Sequence, residues 1–435
     1  MTRVAVVGLG KIGLPLAVQI ASKGHTVTGA DISPEVVGFV NSAVAPFPGE
    51  ADLEQKLAEA VGSGRLVATT STTEAVSGSE VVVVVVPLMT DGGGIPDFSA
   101  LDSATVEVAG GLQPGTLVSY ETTLPVGTTR GRFAPMLQEG SRLVLGDDFF
   151  LVHSPERVFS GRVFSDLRRY PKLVGGVDPA STRIGVDFYE SVLDFDDRAD
   201  LDRPNGVWAM GSVEAAELAK LAETTYRDVN IALANEFAVF AERAGVDIGE
   251  VIDASNSQPF SHIHRPGVAV GGHCIPVYPR FYLSGHPDAE LVETARAVNL
   301  SVPDRVVDTV SHGLDGLNGK TILVLGAAYR GGVKETAYSG VFDLVRAIDE
   351  RGGRAVVSDP LYTTEELNVL GLDGWSSEPI DAVIVQADHR EYAELGPSDL
   401  PGARLVYDGR GVLDPGRFDG ADARLMVIGQ GSTTS

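Results

Sequence analysis

The stretch Val4-Ala-Val-Val-Gly8-Leu-Gly10-Lys-Ile-Gly13 decides the fold, because a glycine-rich turn follows an apolar strand and opens a helical segment. Gly8 permits a tight turn, Gly10 lets the backbone approach a pyrophosphate, and Gly13 permits close packing of helix against strand. The next strand ends in Asp31, where a carboxylate accepts the hydroxyls of a ribose. We therefore predict an NAD site, since Asp31 would repel the 2′-phosphate of NADP.

Apolar runs of strand length alternate with helical patterns on both sides of this turn. Near-continuous valine and isoleucine content is typical of strands buried on both faces of a parallel sheet. In the first part of the chain we predict strands at Arg3–Val7, Thr26–Asp31, Val81–Val86, Leu117–Glu121 and Phe149–His153. The alternation resumes later, with strands predicted at Thr321–Leu325, Arg354–Ser358, Ala382–Gln386 and Leu405–Asp408.

A long helix is predicted between these two blocks. Val213–Ala244 is rich in Ala and Glu, contains neither Gly nor Pro, and is followed by Gly245. Shorter helices are expected at Ile248–Ala254 and about 288–314, a loop at Gln258–Pro279, and a disordered tail from Gly429. The fold class is α/β, with two Rossmann-like parallel-sheet domains joined by a long central helix. The domains are expected at residues 1–200 (NAD-binding Rossmann domain), 201–314 (central helical domain) and 315–435 (C-terminal α/β domain).

Composition excludes several classes of partner. The net charge is −25, and no cluster of Lys and Arg offers a basic face, so neither nucleic acid nor an anionic membrane surface is an expected partner. A single cysteine excludes an intramolecular disulfide, and the N-terminus shows no leader pattern. We predict a cytoplasmic protein. The eight histidines show no spacing typical of a metal site.

The only cysteine lies in the loop Gly271-Gly-His-Cys274-Ile-Pro276. Flanking glycines let a bulky substrate approach the thiol, and a nearby base would favour the nucleophilic thiolate. A lone cysteine is also compatible with an inert buried residue. The loop by itself leaves both interpretations open.

Three polar residues of the long helix share one face. Lys220, Thr224 and Arg227 stand at positions i, i+4 and i+7, so they either reach together into a cleft or form a solvated stripe. Glu156, taken alone, is compatible with a surface ion pair to Arg157. Periodicity does not separate these alternatives.

Several motifs in sequence order give the chain a resemblance to the UDP-glucose/GDP-mannose dehydrogenase family, the nucleotide-sugar 6-dehydrogenases. The resemblance covers nearly the whole chain. Besides the glycine turn, the motifs are Thr122-Thr-Leu-Pro125-Val-Gly127-Thr, Ser154-Pro-Glu156-Arg-Val158, Glu217-Leu-Ala-Lys220-Leu, Tyr226-Arg-Asp-Val-Asn230-Ile-Ala-Leu-Ala-Asn235-Glu, Gly271-Gly-His-Cys274, Gly326-Ala-Ala-Tyr329-Arg330 and Asp408-Gly-Arg410. The Pro-Glu-Arg-Val form resembles the branch that acts on UDP-N-acetyl-mannosamine or UDP-N-acetyl-glucosamine.

The resemblance implies two successive NAD-dependent oxidations of a sugar C6 alcohol to the uronic acid. Cys274 would capture the aldehyde as a thiohemiacetal, which the second oxidation turns into a thioester. Glu156 would act as base for the hydrolytic water, and Lys220 would stabilise the developing oxyanion. Thr123 would position the water or the nicotinamide.

The resemblance also implies the binding residues. Contacts to the cofactor are expected from Gly8, Gly10, Lys11, Ile12, Gly13, Asp31, Pro87 and Thr123. Contacts to the nucleotide sugar are expected from Arg157, Val158, Lys220, Thr224, Arg227, Gly271, Tyr329 and Arg330. The C-terminal domain would hold the nucleotide, and the central domain would carry the catalytic lysine, the cysteine loop and a homodimer contact.

Four positions depart from the family pattern. Thr224 replaces an asparagine, Tyr278 an aspartate and Ala337 an arginine, while Ser160 stands where the UDP-glucose branch has a second glutamate. Tyrosine supplies no carboxylate near neutral pH, and alanine no donors for a phosphate or uracil. Two further functions therefore stay open. One is a two-electron dehydrogenase of an unconventional nucleotide sugar or nucleoside in secondary metabolism, and the other is a non-catalytic NAD-binding homologue.

Overall fold

The computed structural model describes residues 1–91 and 94–431. The chain forms two compact units. Unit 1 comprises Met1–Glu223 and Arg280–Gly285, and unit 2 comprises Thr224–Pro279 and His286–Ser435. The boundaries of the predicted domains stay a prediction.

Unit 1 is built on one sheet of eight strands. Its strands are β1 (Arg3–Val7), β2 (Thr26–Ala30), β3 (Leu66–Thr69), β4 (Val81–Val84), β7 (Leu117–Tyr120), β8 (Phe150–His153), β9 (Lys172–Gly176) and β10 (Val207–Ala209), with the small pair β5 (Met89–Thr90) and β6 (Pro96–Asp97) apart from it. The order is β10-β9-β8-β7-β4-β1-β2-β3, and every neighbouring pair is parallel except β8 with β9.

Helices cover this sheet and bury their apolar faces on it. They are α1 (Gly13–Ser22), α2 (Pro34–Asn41), α3 (Leu53–Gly62), α4 (Thr72–Ser77), α5 (Ser99–Gly111), α6 (Ala134–Ser141), α7 (Val163–Arg169) and α8 (Pro179–Val192), with a π-helical turn at Thr129–Phe133. The four valines of β4 are fully or almost fully buried, as expected for β-branched residues in a central strand.

The long helix α9 (Val213–Ala244) has 32 residues, which corresponds to about 48 Å. It contributes residues to both units. The short helix α11 (Tyr278–Gly285) also does so.

Unit 2 contains a parallel sheet of five strands. These are β11 (Thr321–Leu325), β12 (Arg354–Ser358), β13 (Ala382–Val385), β14 (Leu405–Asp408) and β15 (Arg424–Val427), in the order β12-β11-β13-β14-β15. Its other helices are α10 (Ile248–Asn256), α12 (Glu290–Gly313), α13 (Val341–Glu350) and α14 (Thr364–Val369). A buried ion pair between Asp228 and Arg296, 2.6 Å apart, joins α9 to α12.

The predicted fold class is confirmed, and α9 begins and ends where it was predicted. Every predicted strand is present, but β3, β5, β6, β9, β10 and β15 were not predicted, because the apolar run in each of them is brief. The loop after α10 ends earlier than expected, since Tyr278 already begins α11. The tail prediction is wrong for Gln430, which pairs with Asp247, whereas residues 432–435 lie outside the described part. No helix among the described residues is long and apolar enough to cross a membrane.

Candidate active site

The glycine turn after β1 has the geometry that a pyrophosphate requires. Gly8 has a φ of +94°, and a side chain at Gly13 would place its Cβ only 1.9 Å from the Gly8 carbonyl oxygen. At Gly10, in contrast, no described residue other than its chain neighbours lies within 4 Å of a Cβ, so the backbone is open to a ligand. Helix α1 has neither a side-chain cap nor an acidic residue in its first turn. The positive end of its dipole is therefore not neutralised and favours an anion.

Asp31 follows β2 and is held in place by two backbone N–H groups. Leu9 N–H donates to one carboxylate oxygen at 2.8 Å, and Ser33 N–H donates to the other at 2.9 Å. The remaining lone pairs of an ionised carboxylate suffice for two ribose hydroxyls. The sheet order reverses at β1, between β4 and β2, and dinucleotides bind at such a switch point. The residues present therefore fit NAD.

The other predicted cofactor residues lie in the same unit. Lys11 and Ile12 belong to the turn before α1, exposed and half-buried respectively. Pro87 follows β4 and is exposed, while Thr123 follows β7 and is buried. Parallel strands end at one edge of the sheet, so β1, β2, β4 and β7 bring these residues to that edge.

A buried carboxylate of α9 fixes the loop that carries Thr123. Glu217 accepts hydrogen bonds from Gly127 N–H at 2.6 Å, from Thr129 N–H at 2.8 Å and from the Thr129 hydroxyl at 2.7 Å. Burial raises the pKa of Glu217 although these donors oppose the rise. Lys220 follows about one helical turn later. Glu217 lies in one of the sequence motifs, but the motif predicted no role for it.

Glu156 does not pair with the guanidinium of Arg157. One oxygen of its carboxylate accepts from the ammonium of Lys172 at 2.9 Å, and the other accepts from the backbone N–H of Arg157 at 2.7 Å. Lys172 also donates to Glu121 at 2.6 Å. Sequence reasoning missed Lys172 and Glu121. In the sequence, Glu121 ends one mostly apolar run and Lys172 begins another, and these two charged residues were the available signal.

Lys220 and Thr224 are buried, so these two residues do not belong to a solvated stripe. The ammonium of Lys220 lies 3.2 Å from Glu223, which also accepts from the guanidinium of Arg157 at 2.8 Å. Glu223 thus ties a residue of the Pro-Glu-Arg-Val motif to α9. Arg227 lies further along the same helix and is half-buried.

In unit 2, the loop of Cys274 packs on the loop that follows β11. A Cβ at Gly271 would lie 2.7 Å from Tyr329 Cβ, and Gly272 has a φ of +90° with its N–H donating to the Ala337 carbonyl at 3.0 Å. Only glycine allows this approach and this backbone conformation. The thiol is half-buried.

Further contacts in unit 2 hold the same loop from the other side. Arg410 donates to the Ala269 carbonyl at 3.1 Å, and Val268 N–H donates to the Gly409 carbonyl at 3.1 Å. Tyr278 N–H donates to the Cys274 carbonyl at 2.9 Å. Backbone contacts at several points therefore hold the loop that carries the cysteine.

The predicted residues fall into two sets. Unit 1 holds the cofactor residues with Thr123, Glu156, Arg157, Val158 and Lys220, and unit 2 holds Thr224, Arg227, Gly271, Cys274, Tyr329 and Arg330. Val158 is half-buried and Arg330 is exposed. Neither unit carries the whole set of proposed catalytic groups.

A glycine turn at the switch point, with a carboxylate fixed at the end of the next strand, defines unit 1 as the dinucleotide-binding part of an NAD-dependent dehydrogenase. The sequence matches the models of the UDP-glucose/GDP-mannose dehydrogenase family for the NAD binding domain over residues 2–193, the central domain over 214–301 and the UDP binding domain over 323–415. The chain belongs to this family, and it is an NAD-dependent nucleotide-sugar dehydrogenase.

Its relatives include enzymes named for N-acetylated sugars. UDP-N-acetyl-D-mannosamine dehydrogenase of Pyrococcus horikoshii is 35% identical and covers 94% of this chain and 96% of its own. NDP-N-acetyl-D-galactosaminuronic acid dehydrogenase of Ralstonia solanacearum is 31% identical over 95% and 97% of the two chains. The solved structure of UDP-D-ManNAc dehydrogenase from Pyrococcus horikoshii superposes with a TM-score of 0.88 at 33% identity, over 99% of this chain and 100% of that one. The predicted resemblance to this branch is confirmed.

Proposed function

We propose that this protein oxidises the C6 alcohol of a UDP-N-acetylhexosamine, such as UDP-N-acetyl-D-mannosamine, to the uronic acid. The names of the relatives and the Pro-Glu-Arg-Val motif at 155–158 support this choice of sugar. One observation carries the proposal, namely the contact between the Cys274 loop and the loop after β11 in the region matched by the UDP binding domain. A nucleotide sugar bound by the loop after β11 would present its sugar to the thiol of Cys274.

A cysteine is needed because an aldehyde must become a hemiacetal equivalent before it can lose a second hydride. The thiolate of Cys274 adds to the aldehyde carbon, and the new C–S bond gives a thiohemiacetal. Loss of hydride from this carbon leaves a thioester. Water then adds to the thioester carbon, the C–S bond breaks, and the sugar leaves as a carboxylate. NAD, when bound, supplies the hydride acceptor for both oxidations.

The remaining catalytic roles follow from charge and burial. Glu156, ionised and oriented by Lys172, takes a proton from the attacking water. Lys220 is a buried ammonium that would stabilise negative charge on the sugar oxygen. Thr123 is buried at the end of β7 and would orient the water or the nicotinamide. Arg157, Val158, Thr224, Arg227, Gly271, Tyr329 and Arg330 are proposed to bind the nucleotide sugar.

A second candidate is an oxidation that stops at the aldehyde. Tyr278 stands where the family has aspartate, and Ala337 stands where it has arginine. Without that carboxylate, thiol activation or thioester hydrolysis has one group fewer to assist it. A two-electron dehydrogenase of an unconventional nucleotide sugar or nucleoside is consistent with these substitutions.

The experiment counts NADH formed per molecule of UDP-N-acetyl-D-mannosamine and records the product mass. Two NADH and a uronic acid are expected, whereas one NADH and an aldehyde would support the second candidate. The Cys274→Ser variant should bind NAD normally and form no acid. Acid formation by this variant at the wild-type rate would contradict the role of Cys274. Bound NAD without turnover across a panel of UDP- and GDP-sugars would favour a non-catalytic homologue.

We propose further that the protein is a homodimer through α9. Tyr226, Leu233, Phe237 and Phe240 are exposed apolar residues at spacings of three, four and seven along this helix. Such a stripe on one helical face is typical of a helix that packs on another helix.

We also propose a cytoplasmic location. The single thiol needs a reducing compartment to stay free, and the biosynthetic chemistry supports the same location. Cell fractionation would test it.

A further inference from the structure

Behind Glu156 lies a buried cluster of charges that the proposed chemistry does not yet use. The ammonium of Lys172 bridges two carboxylates, 2.6 Å from Glu121 and 2.9 Å from Glu156. The hydroxyl of Tyr189 donates to the other oxygen of Glu121 at 2.6 Å and lies 2.7 Å from the hydroxyl of Ser119. The side chains of Glu121 and Lys172 are 0% and 5% exposed. Burying three charges without a use for them is expensive.

The antiparallel strand β9 creates this cluster. In its register with β8, His153 lies opposite Gly175 and Val152 lies opposite Gly176. Continuing that register past the end of β8 brings Lys172, the first residue of β9, level with Glu156. A parallel strand would have carried Lys172 to the opposite edge of the sheet.

One cation serves two carboxyl groups in this cluster. Burial, together with the charge of Glu156, raises the pKa of Glu121 to about 7, and Lys172 offsets only part of the rise, so that Glu121 takes up a proton before Glu156 does as the pH falls. Burial alone would also raise the pKa of Glu156, but Lys172 and the hydrogen bonds outweigh it, so that this pKa is lowered. The pKa of Lys172 is raised, because its two carboxylate partners outweigh its burial. The ammonium is therefore shared and permanently charged.

Of the other titratable groups around the cluster, Asp166 lines the same small cavity as Glu156 and Lys172 and pairs with Arg162 at 3.0 Å. Among the described residues, His153 on β8 has no hydrogen-bond partner at either ring nitrogen; it is fully buried, and burial together with Lys172 lowers its pKa to about 3. Burial raises the pKa of Tyr189, on α8, well above its usual value, so the phenol stays neutral. Arg157 offers its backbone N–H to Glu156, while its guanidinium pairs with Glu223.

We propose that Lys172 and Glu121 are positioning residues of the hydrolytic step, forming with Glu156 a charge-sharing triad that keeps the base ionised, oriented and basic. This inference rests on the proposed function. Lys172 holds one oxygen of Glu156, so that the carboxylate keeps free lone pairs for the water. Once ionised, above its pKa of about 7, Glu121 takes part of the charge of Lys172, since an ammonium paired with Glu156 alone would make that carboxylate a weaker base. The proton taken from water returns to solvent after the sugar carboxylate leaves.

The test is the pH dependence of thioester hydrolysis in two variants, with UDP-N-acetyl-D-mannosamine as the probe. In the wild type, the rate of hydrolysis should rise near pH 7, where Glu121 ionises and draws Lys172 away from Glu156. Glu121→Gln should lose this rise and stay about tenfold below the wild-type rate at higher pH. Lys172→Met removes the cation that lowers the pKa of Glu156, so the acid limb should move to higher pH. Loss of the rise in one variant and a raised acid limb in the other are expected of a charge-sharing triad and not of a merely structural one.

Two tyrosine variants provide a matched control and do not depend on the folding of the Lys172 variant. Tyr189→Phe removes a hydrogen bond that lowers the pKa of Glu121, so the rise in rate near pH 7 should move to higher pH. Tyr120→Phe removes a buried hydroxyl whose partner is Thr105, 2.8 Å away, and should leave the profile unchanged. Lys172→Arg should restore part of the rate that Lys172→Met loses.

Covalent capture separates failure of this inference from failure of the proposed function. Intact-protein mass spectrometry of Glu156→Gln should show the sugar attached to Cys274, because hydrolysis is slowed. Absence of any adduct on this variant and on the wild type would reject the proposed function. An adduct that forms and hydrolyses, with the rise near pH 7 still present in Glu121→Gln, would reject the triad alone. It would do so whether or not Lys172→Met folds.

Discussion

Asp31 illustrates what a single residue contributes at the cofactor site. Both of its oxygens accept backbone N–H groups, from Leu9 and from Ser33, so the carboxylate is oriented before any ligand arrives. An oriented carboxylate selects a ribose hydroxyl and repels a phosphate. We therefore propose that this one side chain sets the preference for NAD.

Asp31→Asn should reduce the preference for NAD over NADP by about 10- to 100-fold, or about 1.4 to 2.8 kcal/mol. The amide oxygen of Asn can still accept one backbone N–H, while the repulsion of a 2′-phosphate is lost. The measurement is kcat/KM with each cofactor. Glu54→Gln, which removes one exposed acid elsewhere in unit 1, is the control. An unchanged cofactor ratio in Asp31→Asn would show that another group sets the preference.

At the scale of elements, the contact between β1 and α1 depends on the absence of a side chain. Gly13 is the first residue of α1 and is buried against the carbonyl of Gly8. Alanine is favoured over glycine by about 1 kcal/mol in a helix, so propensity alone predicts stabilisation. An alanine Cβ at this position would, however, lie 1.9 Å from a backbone oxygen, and we expect this clash to outweigh the helix propensity.

Gly13→Ala should lower the stability of the protein by about 1–3 kcal/mol, because a backbone carbonyl has to move. Gly10→Ala is the matched variant, since open space surrounds that position. It should keep the wild-type stability and weaken NAD binding, as its methyl group meets the ligand. Urea unfolding followed by circular dichroism and titration with NAD distinguish the two. Equal urea midpoints for both variants would contradict the packing argument.

For the whole molecule, the exposed apolar stripe of α9 sets the expected assembly. Phe240 is 72% exposed, which is costly for an aromatic side chain in water unless a partner covers it. In a symmetric dimer each such residue occurs twice. A substitution of Phe240 therefore alters the interface at two places.

Phe240→Glu should weaken a homodimer by about 100-fold or more, because two buried aromatic side chains are lost and two charges are added. Analytical ultracentrifugation over a range of protein concentrations measures the effect. Val369→Glu is the control, since Val369 is 87% exposed and lies on α14, away from the stripe. A Phe240→Glu protein that sediments like the wild type would place the contact elsewhere or indicate a monomer.

Local patterns carried much of the prediction. The glycine turn, Asp31 and the long helix are readable because each depends on neighbours in sequence: a strand, a tight turn and a helical period. The cysteine loop and Glu156 were readable from motifs in order, although no local pattern separated an active thiol from an inert one. The short strands β3, β9 and β10 were not predicted, because their apolar runs are too brief.

Tertiary structure decided which charges meet. Lys172 and Glu121 are 51 residues apart, and they touch because β9 runs antiparallel to β8 beside β7. Strand direction depends on pairing across the sheet, which no periodicity within β9 encodes. The same holds for Glu217, whose partners Gly127 and Thr129 lie about 90 residues away. Sequence alone thus determined the class of fold and its cofactor, while long-range packing determined how the candidate base is held, because buried charges choose their partners through space.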